Sequence, residues 1–220
     1  MRPIPAVAFM LCLGLGYSPC FAEAEPAVGL IHVATGELTL DGSALGNTAV
    51  GILTLDPNQK LRVVEGLLEL ELLPGAYLRA SEGAEIQLLS KDPQRIQVEV
   101  LQGPAILAGS KKLLSNVALE HAGNSAEFSD TGYYRVDTPA GSEARLTVVK
   151  GKAVVETPTG SYKLKAKQSI ALTRSGSVEK VQIDRDELME WSRQRQDDYV
   201  LSRRRQKGFA DLAIPGTIRQ

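Results

Sequence analysis

Apolar and polar residues alternate along much of the chain between residues 28 and 172. In residues 68–72 every second position is leucine and the positions between are glutamate, and residues 96–100 and 144–148 show the same alternation. A period of two places the apolar residues on one face of a β-strand and the polar residues on the other. Each segment therefore predicts a strand with one face in a core and one face in water.

Turn-forming pairs separate these segments, for example Asp41-Gly42, Pro74-Gly75 and Ala140-Gly141. Strands that recur about every 8–12 residues with turns between them are typical of all-β folds. We expect about a dozen short strands over residues 28–172, arranged as a sandwich, a roll or a short β-solenoid.

A short motif recurs within this region. Residues 63–66 (Val-Val-Glu-Gly) return 85 positions later as residues 148–151 (Val-Val-Lys-Gly), and residues 100–103 (Val-Leu-Gln-Gly) form a fainter copy. With the same offset, three further pairs match: Glu71 with Glu156, Gly75 with Gly160, and Tyr77 with Tyr162. Repetition at a fixed offset indicates a fold built from one recurring unit, so we expect two similar lobes.

The pattern changes near residue 184 and predicts one C-terminal amphipathic helix over residues 184–207. Asp184 and Glu187 have the spacing of a capping box at its start, and Gly208 is suited to end it. Residues 208–220 show no clear pattern and are interpreted as a tail.

The apolar residues of the helix cluster in its first turns, and Arg195 then interrupts the stripe. We therefore expect Leu188 and Trp191 to be buried against the β domain, and the first half of the helix to dock while the second half projects. Residues 203–207, which are mostly basic, are expected to stay in water.

The N-terminus has the layout of a secretory signal peptide over residues 1–22. Arg2 is followed by an uncharged stretch at residues 4–17, which is short for a membrane span, and small residues suit cleavage before Glu23 or Glu25. We expect a periplasmic or secreted protein with no membrane span after cleavage. The alternative is an uncleaved segment that serves as a membrane anchor.

Composition narrows the classes of function. The chain has 25 basic and 26 acidic side chains, and removal of the signal takes away one basic residue, so the chain is not charged like a nucleic-acid-binding protein. Both cysteines, Cys12 and Cys20, lie in the signal, and neither His32 nor His121 has an acidic residue at ligand spacing. We therefore predict no cofactor, no metal and no enzymatic activity.

One enzymatic alternative remains, a glycan hydrolase. It would need two carboxylates that face a common cleft, and Glu69 and Glu71 are the candidates by position.

Two basic clusters are candidate interaction sites. Three lysines alternate along one predicted strand: Lys163, Lys165 and Lys167. On one face they would bind an acidic glycan or protein, or else protect an edge strand from aggregation. Three arginines lie near the end of the helix: Arg203, Arg204 and Arg205. They would contact anionic lipid or an acidic partner, or else balance the helix dipole.

Residues 131–137 and 143–155, together with the segment 160–170, resemble the core of the FecR domain family. The likeness is clearest over residues 128–172 and rests on a Gly before an aromatic-x-Val, an alternating strand, and Val-x-x-Gly-x-Val-x-Val. The resemblance implies an extracytoplasmic all-β domain. In the namesake of the family, that domain senses an outer-membrane iron-siderophore receptor and signals to a sigma factor.

The chain shows no cytoplasmic anti-sigma segment before its apolar stretch. We therefore expect a free-standing, exported FecR-like protein that binds or scaffolds an envelope protein or polysaccharide. The alternative is a membrane-anchored extracytoplasmic sensor in a pathway of the sigma-factor or iron-uptake type.

Overall fold

The computed structural model describes residues 28–46, 50–174, 176–183 and 185–212, with side chains through residue 202. The first eight strands are β1 (Leu30–Thr35), β2 (Leu38–Leu40), β3 (Ser43–Leu45), β4 (Lys60–Val63), β5 (Leu67–Leu73), β6 (Ala76–Ser81), β7 (Glu85–Asp92) and β8 (Arg95–Gly109). After the single-turn helix α1 (Lys111–Leu114) come β9 (Val117–His121), β10 (Asn124–Phe128), β11 (Gly132–Thr138), β12 (Arg145–Lys150), β13 (Lys152–Thr157), β14 (Gly160–Lys165), β15 (Gln168–Ala171) and β16 (Val178–Lys180). The chain continues into a long helix, α2 (Glu187–Leu212).

The strands form two sheets that share β8. Sheet A has the order β1-β5-β6-β8-β11-β12-β15-β16, and sheet B has the order β3-β2-β4-β7-β8-β9-β10-β13-β14. Neighbouring strands are antiparallel except β8 and β9, which are parallel. The prediction of an all-β fold with one C-terminal helix is confirmed, with sixteen strands in the described residues where about a dozen were expected.

One aliphatic core fills the space between the sheets. Alternate residues of β5 on sheet A (Leu68, Leu70) and of β8 on sheet B (Ile96, Val98) point into it and are fully buried. The face of each sheet that points into this core is called its inner face, and the opposite face its outer face.

The recurring motif marks the places where the chain passes from one sheet to the other. The passage from β4 to β5 occurs at Gly66, that from β12 to β13 at Gly151, and β8 itself changes sheets near Gly103. All three glycines have positive φ angles, of +89°, +106° and +77° in that order. Glycine adopts this backbone conformation at little cost, which explains why the motif ends in glycine.

The two copies share the same strand pairing. In the first copy β4 pairs with β7 and β5 with β6, and in the second β12 pairs with β15 and β13 with β14. Each copy is therefore a two-stranded hairpin folded across both sheets.

The match between Tyr77 and Tyr162 does not hold in three dimensions. Tyr77 lies opposite Glu71 on the outer face of sheet A, whereas Tyr162 lies opposite Val155, which points into the core. A register shift between Glu71 and Leu73 moves the second strand of the first hairpin by one residue. Such a shift sends every following side chain to the other face.

Helix α2 lies on the outer face of sheet A and forms a third layer. Its residues Leu188 and Met189 pack on Ile106 of β8 in a small second core, with Trp191 partly buried at its edge. None of the helices in the described part of the chain combines the length and the apolar character that crossing a membrane requires.

Candidate functional site

A cluster of charged and aromatic side chains lies where α2 meets the outer face of sheet A. We call it the helix-anchoring cluster, and it consists of His32 of β1, Glu69 of β5, Tyr77 and Arg79 of β6, and Ser192, Arg195 and Tyr199 of α2. It borders a cavity of about 220 Å³.

The carboxylate of Glu69 is at the centre of the cluster. Arg79 Nε donates a hydrogen bond to Glu69 Oε2 at 2.6 Å, and Arg195 Nη2 donates to Glu69 Oε1 at 2.7 Å. His32 Nδ1 lies 2.8 Å from the same Oε1. Since the side chains of Glu69 and Arg79 are each only 1% exposed, this is a buried ion pair that a second arginine joins from the helix.

Arg79 also contacts the helix backbone directly. Its Nη1 donates to both the carbonyl oxygen and the hydroxyl of Ser192 at 3.0 Å. Its guanidinium lies 5.1 Å from the ring centroid of Tyr77, within the range of a cation–π contact. Sheet and helix are thus joined by charge-assisted hydrogen bonds, which are stronger than neutral ones.

Three aromatic rings pack beside the ion pair of Glu69 and Arg79. His32 stacks on Tyr77 with 5.7 Å between ring centroids, and Tyr199 meets Tyr77 edge-on at 5.6 Å. Burial raises the pKa of Tyr77, and the neighbouring Glu71 raises it further. The phenol of Tyr77 therefore stays neutral and adds no negative charge to the cluster.

The surroundings of Glu69 fix its protonation state. Burial alone would raise its pKa, but hydrogen bonds from Arg195 and Arg79, the charge of Arg79, and the contact with His32 outweigh burial and lower the pKa from 4.5 to about 2. Glu69 is therefore ionised near neutral pH, and its four hydrogen-bonding directions are taken by protein donors.

This geometry corrects one expectation about the strand at residues 68–72. Glu69 does not lie on a wet face, because α2 covers it. Glu71 accepts a hydrogen bond from the backbone N–H of Gly75 at 3.2 Å, which supports the turn between β5 and β6.

The candidate lysines do not share one strand face. Lys163 and Lys165 are exposed on β14, which is an edge strand of sheet B. Lys167 lies in the turn after β14, with a φ angle of +64°, and so falls outside the strand. The expectation that all three alternate along one strand is therefore wrong for Lys167.

The helix departs from its predicted form at several points. It runs from Glu187 to Leu212 and passes through Gly208, which was expected to end it. Asp184 lies outside the described residues, as do the side chains of the three candidate arginines, Arg203, Arg204 and Arg205. At the start of the helix it is Asp186 that accepts a hydrogen bond, from the backbone N–H of Met189 at 3.0 Å.

The predicted docking surface of α2 is confirmed in part. Leu188 is buried at 2% exposure, whereas Trp191 is only partly buried. The contact between α2 and sheet A does not end at Arg195. Arg195 donates a hydrogen bond to Glu69, and Tyr199, one turn later in the helix, packs against Tyr77. The apolar pattern of the sequence does not mark this second stretch, since polar side chains make the contact.

The pairing at the centre of the helix-anchoring cluster depends on an irregularity of one hairpin. Glu69 and Arg79 lie directly opposite each other across the hairpin that turns at Pro74-Gly75. Regular counting outward from that turn would place Arg79 opposite Leu70, and the register shift between Glu71 and Leu73 brings it opposite Glu69. The contributions of His32 and Arg195 come from distant parts of the chain, and no local pattern marks them. Among the described residues, no three acidic or histidine side chains are placed to hold a metal ion.

No protein-family model matches the chain. No curated protein matches it either. Two crystal structures, each of a "putative anti-sigma factor" from Parabacteroides distasonis ATCC 8503, are similar in part. The first has 14% identity and a TM-score of 0.47 over 56% of this chain, and the second has 12% identity and a TM-score of 0.42 over 66%. The matches span 59% and 60% of the length of those two structures.

Proposed function

We propose that this chain is a non-enzymatic binding or scaffolding protein of the bacterial cell envelope, exported through its N-terminal segment. The observation that carries the proposal is the helix-anchoring cluster, in which Glu69 holds a helix in place. Its hydrogen-bonding capacity is used within the protein, so the cluster suits a rigid platform better than a reactive centre.

Helix α2, the third layer, also supports a binding function, because it offers a long surface. Helix α2 crosses sheet A and contacts both β6 and β8. It continues for 13 residues after Tyr199, which corresponds to about 20 Å at the rise of an α-helix. An anchored first half and a long second half present an elongated surface to a partner.

The proposal is tested by affinity capture from a solubilised envelope fraction, with Arg195→Met as a matched variant whose helix is less firmly anchored. We expect a defined partner that the parent retains and the variant retains less well. Recovery of the protein from the cytosol with residues 1–22 intact would contradict export.

A second candidate function is a membrane-anchored extracytoplasmic sensor in a pathway of the sigma-factor or iron-uptake type. The uncharged stretch at residues 4–17 and the resemblance to the FecR family favour it. It requires that stretch to stay attached to the β domain. N-terminal sequencing of the mature protein decides between the two candidates, because a start at Glu23 or Glu25 eliminates the anchor.

A further inference from the structure

A groove runs along one side of α2, between the helix and strands β11 and β12. We call it the α2 groove. It joins two cavities of about 400 and 440 Å³ that share Val149, Met189 and Arg193. On the helix side its wall extends from Met189 to Val200, which is about 17 Å along the axis. Volumes of this size are typical of ligand sites.

The floor of the α2 groove is apolar. It is formed by Val149 and Tyr133 of the sheet, by Met189 of the helix and by Ile183 of the connection before it. Val149, Tyr133 and Ile183 are only partly buried, although each packs against the second core. An occupant with apolar side chains would complete their burial.

The rim of the groove is basic. Among the described residues that line it, the exposed cations are Lys150, Lys167, Arg185 and Arg193, and Asp197 is acidic. Arg193 is paired within the helix to Glu190 at 3.2 Å. The whole chain has a net charge of −1, so this local excess of positive charge is not an average property of its surface. Charge complementarity points to an anionic occupant.

The cations are spread along the groove. Lys167 and Arg185 line the first cavity, Lys150 lines the second, and Arg193 lies between them. A lipid with one headgroup would place its charge at one end only. An extended chain of about five residues covers the same length at roughly 3.3 Å per residue and can carry charge at several points.

We propose that the α2 groove binds an extended segment of a partner protein in which acidic and apolar residues are combined. This inference rests on the proposed binding function and names the chemistry that the bound segment must have.

The test is a selection of random displayed heptapeptides on the full mature protein, followed by affinity measurement on the enriched peptides by fluorescence anisotropy. We expect enrichment of peptides that combine Asp or Glu with apolar residues. Their binding should weaken as salt screens the charges. The variant Lys150→Glu/Arg193→Glu should bind them at least about tenfold less tightly, a change that corresponds to roughly 1.4 kcal/mol.

The matched control is Lys60→Glu/Lys152→Glu, which makes the same change in net charge at exposed positions of sheet B. It should keep the affinity of the parent, and equal melting temperatures should show that all three proteins are folded. Enrichment of no peptide, enrichment of basic peptides, or equal weakening by both double variants would overturn the proposal. So would displacement of the selected peptides by laurate at concentrations below its micelle formation, since that result would assign the groove to an anionic lipid.

Failure of this inference is distinguishable from failure of the proposed function. If the envelope partner is captured equally well by the parent and by Lys150→Glu/Arg193→Glu, the binding function stands and the groove is not its site.

Discussion

Glu69 is the residue on which the docking of α2 depends most directly. Replacing it by Gln keeps the shape of the side chain but leaves the buried guanidinium of Arg79 without its counter-charge. Breaking a buried ion pair by removing one partner costs about 3–5 kcal/mol, so we expect Glu69→Gln to lose a free energy of unfolding of that size. Urea unfolding measures it. Glu127→Gln is the control, because Glu127 is exposed on β10, and its effect should stay within about 0.5 kcal/mol.

The lowered pKa of Glu69 predicts how the stability of the protein depends on pH. The pKa of Glu69 is about 2 in the folded protein, compared with the ordinary value of 4.5. Between these values the unfolded chain binds a proton that the folded protein does not, so lowering the pH favours unfolding. The stabilisation by Glu69 is full above about pH 5.5 and is lost as the pH falls towards about 2.

We therefore expect the difference in unfolding free energy between the parent and Glu69→Gln to be constant near neutral pH and to shrink below about pH 4.5. Urea titrations over this range provide the measurement. A difference that grew in acid would mean that another group dominates the cluster.

At the scale of elements, the crossing between β12 and β13 depends on Gly151. Its φ angle is +106°, and a Cβ at this position would collide with the hydroxyl oxygen of Tyr134. That hydroxyl is fixed because it lies 3.0 Å from the carbonyl oxygens of both Asp130 and Lys152.

Gly151→Ala should therefore destabilise the protein by about 1–3 kcal/mol, from backbone strain and displacement of the tyrosine. Gly160→Ala is the matched control in the same copy of the repeat, since a Cβ at Gly160 would meet no atom within 4 Å. Thermal unfolding of the two variants provides the comparison, and equal melting temperatures would refute the role given to Gly151.

The docking of α2 can be tested through its apolar residues. Leu188 is almost completely buried against Ile106, whereas Trp191 is partly open to solvent. Leu188→Ala should lower the free energy of unfolding by about 2–5 kcal/mol. Trp191→Ala should lower it by less than Leu188→Ala does, because Trp191 lacks the full burial for which a loss of about 3–5 kcal/mol is expected. Urea unfolding would contradict this order if Trp191→Ala were the more damaging change.

The sequence predicted elements better than it predicted layers. The alternation at residues 68–72 correctly marks a strand whose leucines face the core. It does not reveal that Glu69 is also buried, because the covering helix lies more than 100 residues later and makes that contact through Arg195. Similarly, the matching letters at Tyr77 and Tyr162 cannot report a register shift, which is set by the geometry of one hairpin.

At the scale of the whole molecule, β8 joins the two sheets. Its 15 residues pair with β7 and β9 in sheet B, and then with β6 and β11 in sheet A. The two sheets cannot separate without disturbing this strand. We expect one cooperative transition in calorimetry, with equal calorimetric and van't Hoff enthalpies. Two resolved transitions would show that two parts of the β domain are separate folding units.

The helix-anchoring cluster also sets a condition on the order of assembly. His32 belongs to the first strand and Arg195 to the last helix, so the contacts around Glu69 span nearly the whole described chain. Synthesis delivers β1 first and α2 last. Until the helix is present, the ion pair of Glu69 and Arg79 lies on a sheet surface that α2 does not cover. A chain truncated before Ser192 lacks both the hydrogen bonds from Arg79 to Ser192 and those from Arg195 to Glu69. Burial of this ion pair is therefore completed only when the C-terminal part of the protein is present.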